Sequence, residues 1–344
     1  MPTEIKNIKV SICLLAWNGK KYLDACLKSV LSQTHQNFDL LIIDNASTDS
    51  SVEYLENNYS QIRLIKNSAN IGFDAGHNQG IRKTEGKYHL MLNQDTVLEP
   101  NYIEELIKAS ERNPHIGAVQ GKVKRLTEGA KTNIIDSLGL KLWRSGQATD
   151  LAQGEYDREQ YQADKDIFGV VATLPLYRRE ALEDTKLSGD FAMSGEEYFD
   201  ETFFVLKEDI DLAFRLQLRK WRAVYVPSAV AYHERGVSGG SANSQSDIDI
   251  AKARQNKPKL YRKYSYRNHQ YVYLKNLLWG NFWYNFPEII WYNIKVLGYI
   301  FVREPFIIPD IGKVIKTMPL MLRKRKMIMA RCKATSPEMQ KWFE

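Results

Sequence analysis

The sequence predicts an α/β fold, a doubly wound and mostly parallel sheet flanked by helices, and three observations carry that expectation. Lys9–Ala16 (KVSICLLA) and Tyr88–Leu92 are continuous apolar runs, the composition of strands buried on both faces. The stretch after the turn Trp17-Asn18-Gly19 carries Leu23, Cys26, Leu27, Val30 and Leu31, an i, i+3, i+4, i+7, i+8 helical stripe. Strand and helix then alternate four times within roughly the first 120 residues, which argues a parallel sheet rather than a meander.

In chain order, the second strand is Phe38–Asp44, ending at DNASTDS, where Ser47 or Asp49 can cap a short helix. Ile62–Lys66 is the third strand. The glycine-rich NIGFDAGHNQG (70–80) leads into a helix that ends before Gly86. The Tyr88–Leu92 strand leaves through Asn93-Gln94-Asp95 into a helix with Pro100 at its first position. Ile116–Val123 is a further strand. Lys124–Asp166 is polar, with room for one hairpin. Phe168–Leu174 reads as a strand, Asp209–Trp221 as a helix, and Arg222–Val226 as a last strand stopped by Pro227. Ser238–Asp249 has the composition of a flexible loop. The expected division is a catalytic unit over 1–240 (halves 1–123 and 124–240), a linker over 241–260, and a basic, aromatic helical tail over 261–344.

Hydrophobic content of 44% and charged content of 26% belong to a globular protein with a sizeable core. Cys13, Cys26 and Cys332 have no paired or metal-ligand spacing, which fits a reducing compartment. The N-terminus shows no apolar signal segment, and no run reaches the ~18–20 apolar residues of a spanning helix. The net charge of +7 is unevenly placed: residues 251–344 hold 19 basic against 5 acidic side chains, so the remainder is acidic. Neither GxGxxG nor GxxxxGK[ST] is present, which weighs against a dehydrogenase or an NTPase.

Chemistry-bearing carboxylates fall at the predicted carboxyl ends of strands, the edge where open α/β sheets bind ligands. Asp44 can accept from a nucleobase imide or a ribose hydroxyl, or can simply cap. Asp95 can hold a metal bound to a nucleotide diphosphate, or can simply turn the chain. Glu208-Asp209 opens a helix, where acidic residues suit the dipole but can also supply a general base. His233, just beyond the last strand, is either structural or a ligand to a carboxylate-bound cation.

WNGKKYLDACLKSVLSQT, LLIIDNASTDSS, NIGFDAGHNQGI and LNQDTVLEP, followed by FDETFFVLKEDIDLAFRLQLRKW and VYVPSAVAYH, make residues 8–240 resemble the family 2 glycosyltransferases of GT-A fold. The resemblance implies an inverting transfer of a sugar from a nucleotide diphosphate to a hydroxyl, with Mg²⁺ or Mn²⁺. By position, it implies nucleotide-sugar contacts from Ala16, Asn18, Asp44, Ser47, Asn70, Gly72, Asn78, Asn93, Gln94 and Asp95. Asp95 and His233 become metal ligands, Asp209 the catalytic base and Glu208 its partner. Two departures stand out. Asn93 replaces the first acid of the family's DXD, and a neutral amide is a poorer ligand for a hard cation. Ala192–Glu197 reads as an addition.

The Asn-X-Asp form resembles rhamnosyltransferases of bacterial surface polysaccharides. It points to dTDP-rhamnose as donor and a glycan or lipid-linked acceptor, with UDP-linked GlcNAc, Gal or Glc as the alternative. A non-catalytic sugar-nucleotide scaffold is a further alternative, against which the Glu208-Asp209 pair argues. Trp and Tyr interleaved with Lys and Arg over 261–344 suit an anionic membrane surface, implying a cytoplasmic enzyme peripheral to the inner face of the cell membrane. The competing expectation is a helical subdomain packed on the catalytic unit or on a second copy as a homo-oligomer. Nucleic acid is not an expected partner.

Overall fold

The computed structural model describes residues 3–190, 192–235 and 254–344. After a short helix α1 (Thr3–Lys6), strands β1 (Val10–Ala16), β2 (Phe38–Asp44), β3 (Arg63–Lys66) and β4 (Tyr88–Asn93) alternate with helices α2 (Lys20–Leu31), α3 (Ser51–Asn58) and α4 (Phe73–Arg82). The four strands are parallel in the order β3-β2-β1-β4. Every residue of β1 is buried, as its unbroken apolar run requires. β5 (Thr96–Leu98) and α5 (Tyr102–Glu111) follow, then β6 (Ile116–Thr127), β7 (Ala130–Ser137), β8 (Leu140–Leu142), β9 (Ala148–Asp150), β10 (Lys165–Ile167) and β11 (Leu176–Arg178). Helix α6 (Arg179–Thr185), the ribbon β12 (Leu187–Ser188) and β13 (Glu196–Glu197), helix α7 (Glu208–Leu218) and β14 (Arg222–His233) complete this part. The sheet continues β4-β11-β6-β14-β10, with β11 and β10 antiparallel to their neighbours.

Three sequence expectations are corrected here. Phe168–Leu174 is a buried loop between β10 and β11. Its backbone bonds go to scattered partners, Val171 N–H to Gln120 Oε1 (2.7 Å) and the Thr173 carbonyl to Asn93 N–H (3.0 Å). The apolar run reported burial, not pairing. The last strand does not stop at Pro227. It runs to His233 through a register shift between Val226 and Val230, a bulge that absorbs the residue unable to donate. The polar stretch 124–166 carries two hairpins, β6–β7 and β8–β9, rather than one.

The C-terminal part is helical: α8 (Lys259–Asn276), α9 (Trp279–Tyr284), α10 (Phe286–Arg303), a 3₁₀ turn (Pro305–Ile307), α11 (Ile308–Ala330) and α12 (Ser336–Gln340). The expected linker over 241–260 lies mostly outside the described residues. The expected start of the tail at 261 falls inside α8. One hydrophobic core joins Val10, Leu14, Leu27, Leu92 and Leu106. A second joins Phe203, Ile210 and Phe214 to Tyr271, Val272, Ile300 and Met321, so these helices share a core with the segment 203–218. No helix among the described residues is long and apolar enough to cross a membrane.

Candidate active site

The parallel register sets the geometry. Ala16 pairs with Asp44 across β1–β2, and Leu15 with Asn93 across β1–β4, so three chain segments leave the sheet side by side. Gln94 locks two of them together: its Oε1 accepts from Trp17 N–H and its Nε2 donates to the Trp17 carbonyl, both at 2.9 Å. Gly19 makes this latch possible, since a Cβ there would lie 2.0 Å from Gln94 Oε1. Gln94, expected among the nucleotide contacts, therefore spends its amide on the β1 exit.

Asp44 is buried. One carboxylate oxygen accepts from Ser47 N–H (2.9 Å), while Oδ1 has no hydrogen-bond partner. Asn18 accepts from Thr48 N–H (2.7 Å), and its own N–H donates to Ser47 Oγ (2.9 Å). Behind them Asn45 acts as a hub. Its Nδ2 donates to Asn70 Oδ1 (3.0 Å) and the Gly72 carbonyl (3.1 Å), and its Oδ1 accepts from Asn67 Nδ2 (3.2 Å) and Ile71 N–H (3.1 Å). Asn45 was not expected from the sequence; the DNAS motif containing it was the available signal. Gly72 has φ 91°, and a Cβ there would meet Phe204 at 2.6 Å. Asn78 is not free for a ligand. All four of its hydrogen bonds go to 198–201, with Tyr198 and Phe199 N–H donating to its Oδ1 and its Nδ2 reaching the Phe199 carbonyl and Glu201. Its amide thus straps α4 to the segment 198–201.

The β14 extension carries His233 opposite Thr96 of β5, beside Asp95. His233 Nε2 is 3.4 Å from Asp95 Oδ2, and Nδ1 is 2.9 Å from Asp136 Oδ2. Burial disfavours the charged ring, but Asp136 and Asp95 outweigh it and push the His233 pKa up to about 9. A divalent cation at Asp95 would have to displace the proton on His233 Nε2, leaving a neutral ring whose Nδ1–H stays held by Asp136, the outer partner such a ligand needs. Two protein donors leave positions for phosphate oxygens, as Mg²⁺-type sites require. No group of three or more His, Cys, Asp or Glu that could hold an ion alone occurs among the described residues. Asp136 also accepts from Arg235 Nε (2.6 Å), whose other arm reaches Asp150 (2.6 Å). Asp136, Asp150 and Arg235 were missed by sequence reasoning. The first two lie in the polar stretch that reads as loop, and Arg235 stands two residues beyond His233.

Asp209 sits in the first turn of α7. Burial raises its pKa to about 6, Asp150 adds to the rise, and the Ile210 N–H (2.8 Å) and Lys207 oppose it. The Ala172 N–H also favours its charged form, one residue from Thr173, which pairs with Asn93. Asp209 is thereby tied to the same sheet edge as Asp95. Glu208 is buried with Oε2 unpartnered; burial and then Asp209 push its pKa up to about 8. A half-buried carboxyl raised towards neutrality, a carboxylate–imidazole pair linked to it through Asp136, Arg235 and Asp150, and an unpartnered carboxylate oxygen at the end of β2 mark a candidate enzyme active site.

Comparison with known proteins agrees with that class. The model of "Glycosyl transferase family 2" matches residues 11–186, just over half of the chain, and the chain belongs to this family. It is 26% identical over 253 residues to an N-acetylglucosaminyl-diphospho-decaprenol L-rhamnosyltransferase of Mycobacterium tuberculosis, covering 67% of this chain and 77% of that one. It is 30% identical over 122 residues to an uncharacterized glycosyltransferase of Haemophilus influenzae, where the match spans 35% of this chain and 38% of the relative. Among solved structures, S. aureus TarS 1-349 superposes with a TM-score of 0.52 at 15% identity, covering 94% of this chain and 89% of that one. GalNAc-T7 with UDP, GalNAc and Mn2+ gives 0.53 at 14% identity, covering 78% and 50%. At such identities the likeness establishes the fold, a mixed, mostly parallel sheet of GT-A type.

Proposed function

We propose that this chain is an inverting glycosyltransferase that moves a sugar from a nucleotide diphosphate to a hydroxyl of a glycan or lipid-linked acceptor. The observation that carries the reading is the run of contacts from Asp95 through His233, Asp136 and Arg235 to Asp150, the carboxylate that helps raise the pKa of half-buried Asp209, with Asp44 at the carboxyl end of β2. Asp44 Oδ1 accepts from the base imide or the ribose, and the loop organised by Asn45 lines the nucleoside. Asp95 and His233, the latter deprotonated at Nε2, would hold Mg²⁺ or Mn²⁺, which would supply charge neutralisation to the leaving diphosphate. Asp209 takes the proton of the acceptor hydroxyl as its oxygen bonds to the anomeric carbon. The bond to the diphosphate breaks on the opposite face, and the configuration inverts. Alignment of two bound substrates contributes much of the rate.

For the donor, dTDP-rhamnose is the first choice. Asn93 in place of the first acid and the rhamnosyltransferase name of the mycobacterial relative support it; UDP-GlcNAc, UDP-Gal and UDP-Glc are the alternatives. A thermal-shift panel of these four with Mn²⁺ decides, since a donor specific for the folded state raises the melting point. Asp209→Asn should lower kcat at least ~10²-fold with donor binding nearly intact; near-wild-type turnover would remove Asp209 from the base role.

Trp279, Trp283, Tyr284, Trp291 and Phe301 are each at least 60% exposed on α9 and α10, in the most basic part of the chain. That chemistry fits the headgroup layer of an anionic bilayer, which would hold the enzyme beside a lipid-linked acceptor on the cytoplasmic face. Vesicles containing phosphatidylglycerol should float the protein. If it stays at the bottom of the gradient, the membrane role is lost.

A further inference from the structure

We propose that α8 and α11 are a positioning element for the reaction. They clamp the segment 200–207 that delivers Glu208-Asp209, and so fix where the Asp209 carboxylate stands. This rests on Asp209 as base, and it gives the C-terminal helices a task separate from any membrane contact.

The segment is strained. Phe204, Leu206 and Lys207 have φ of 67°, 73° and 74°, a left-handed backbone that L side chains seldom adopt, and none is glycine. Its neighbours must hold it there, and α8 supplies them from one face. Asn268, fully buried, turns its Nδ2 to three carbonyls in succession: Phe203 (3.0 Å), Val205 (2.9 Å) and Leu206 (2.8 Å). One turn earlier Tyr264 stacks on Phe204, ring centroids 5.5 Å apart and planes 15° apart. Two turns later Lys275 lies between Asp200, where the segment begins, and Asp211 (2.8 Å), just past its end. Asn276 Nδ2 reaches the same Asp211 oxygen at 2.7 Å.

Helix α11 closes the other side. Lys324 donates to Asp200 (2.6 Å), Glu197 (3.0 Å) and Thr202 Oγ1 (3.1 Å). Both lysines are fully buried. Three carboxylates, Glu197, Asp200 and Asp211, thus face three cations, Lys275, Lys324 and Arg215, the last 3.0 Å from Asp211. Buried ions persist only with such pairing. On the donor side the Phe204 carbonyl accepts from Phe73 N–H (2.6 Å), and its ring occupies the space that a side chain at Gly72 would need. The segment is therefore wedged between the proposed nucleotide loop and α8, and a shift on the order of 1 Å at Asp209 is enough to cost turnover heavily.

The test uses the full-length chain with Tyr264→Ala and Asn268→Leu, assayed in detergent without vesicles. The donor is dTDP-rhamnose or UDP-GlcNAc, whichever the wild type hydrolyses or transfers. Both variants should lose roughly tenfold or more in kcat, with donor KM within about threefold of wild type. Wild-type kcat in a folded variant, or a loss confined to KM, overturns the proposal. If Asn268→Leu fails to fold, Tyr264→Ala decides, since it removes one half-buried ring and no buried polar group. Asp209→Asn, run alongside, keeps the two readings apart. An active Asp209→Asn overturns the base assignment; an inactive one beside fully active Tyr264→Ala overturns the clamp alone.

Discussion

The two sides of the site are held together by different forces. At the exits of β1 and β2 the network is mostly of amides: Asn18, Asn45, Asn70 and Gln94 hydrogen-bond to backbone and to one another, with the Asp44 carboxylate accepting from Ser47 N–H. On the side of Asp209 it is ionic. One chain of contacts runs from Asp95 through His233, Asp136 and Arg235 to Asp150, and a second ties Glu197, Asp200 and Asp211 to Lys275, Lys324 and Arg215. The difference has a physical reason. In the proposed reading the amides shape the nucleoside pocket, and the charge of the diphosphate is met at the Asp95–His233 end. The proposed base, Asp209, has its pKa raised by burial and by Asp150, and the carboxylates of this side are held by Arg235, Lys275, Lys324 and Arg215.

The largest effect that could break this comparison is expected at Lys324. Lys324→Met leaves Asp200 and Glu197 short of a buried partner and should cost about 3–5 kcal/mol of stability, read by denaturant titration. A variant as stable as wild type would mean that the ionic cluster is not what holds this side. Asn45→Ala removes four neutral hydrogen bonds worth about 1 kcal/mol each. It should raise donor KM about tenfold or more with a smaller loss of kcat, and an unchanged KM would dissociate Asn45 from the nucleotide pocket. The pH profile sharpens the contrast. Asp209, with its pKa about 6, is protonated and idle in acid, so kcat should fall about tenfold per unit well below that value. Asn45→Ala should leave this limb in place. A further effect of pH is on stability, through Glu208. Its folded pKa of about 8 lies above the ordinary 4.5, so it favours the fold fully below the lower value, and that contribution is lost as pH rises toward the higher. Glu208→Gln should gain on the wild type by a few degrees in melting temperature between about pH 5 and pH 8. A constant difference across that range would mean that Glu208 ionises freely.

The side built on β1, β2 and β4 was the more legible in the sequence, and the same contrast explains why. β1, β2 and β4 match expectation to within a residue because strands buried on both faces announce themselves as apolar runs. Asp44 and Asp95 then follow from where such strands end. The ionic side depends on contacts between residues far apart in sequence, and local pattern carries little of that. Lys324 belongs to the basic residues of 261–344 that suit a membrane surface by composition, yet it shares the buried face of α11 with Met321 and Ile328 and points into the acidic interior. His233 was picked from its type and place. What brings it to Asp95 is the bulge at Pro227, a residue that from sequence alone ends a strand.

The most direct test of the central claim, that distant segments meet around one metal-bound nucleotide diphosphate, is the anomalous scattering of Mn²⁺ in crystals grown with dTDP or UDP. The account predicts one manganese peak at coordination distance from both Asp95 and His233 Nε2, with the base of the nucleotide against Asp44. A manganese bound elsewhere, or a nucleotide lying away from Asp44, would contradict it.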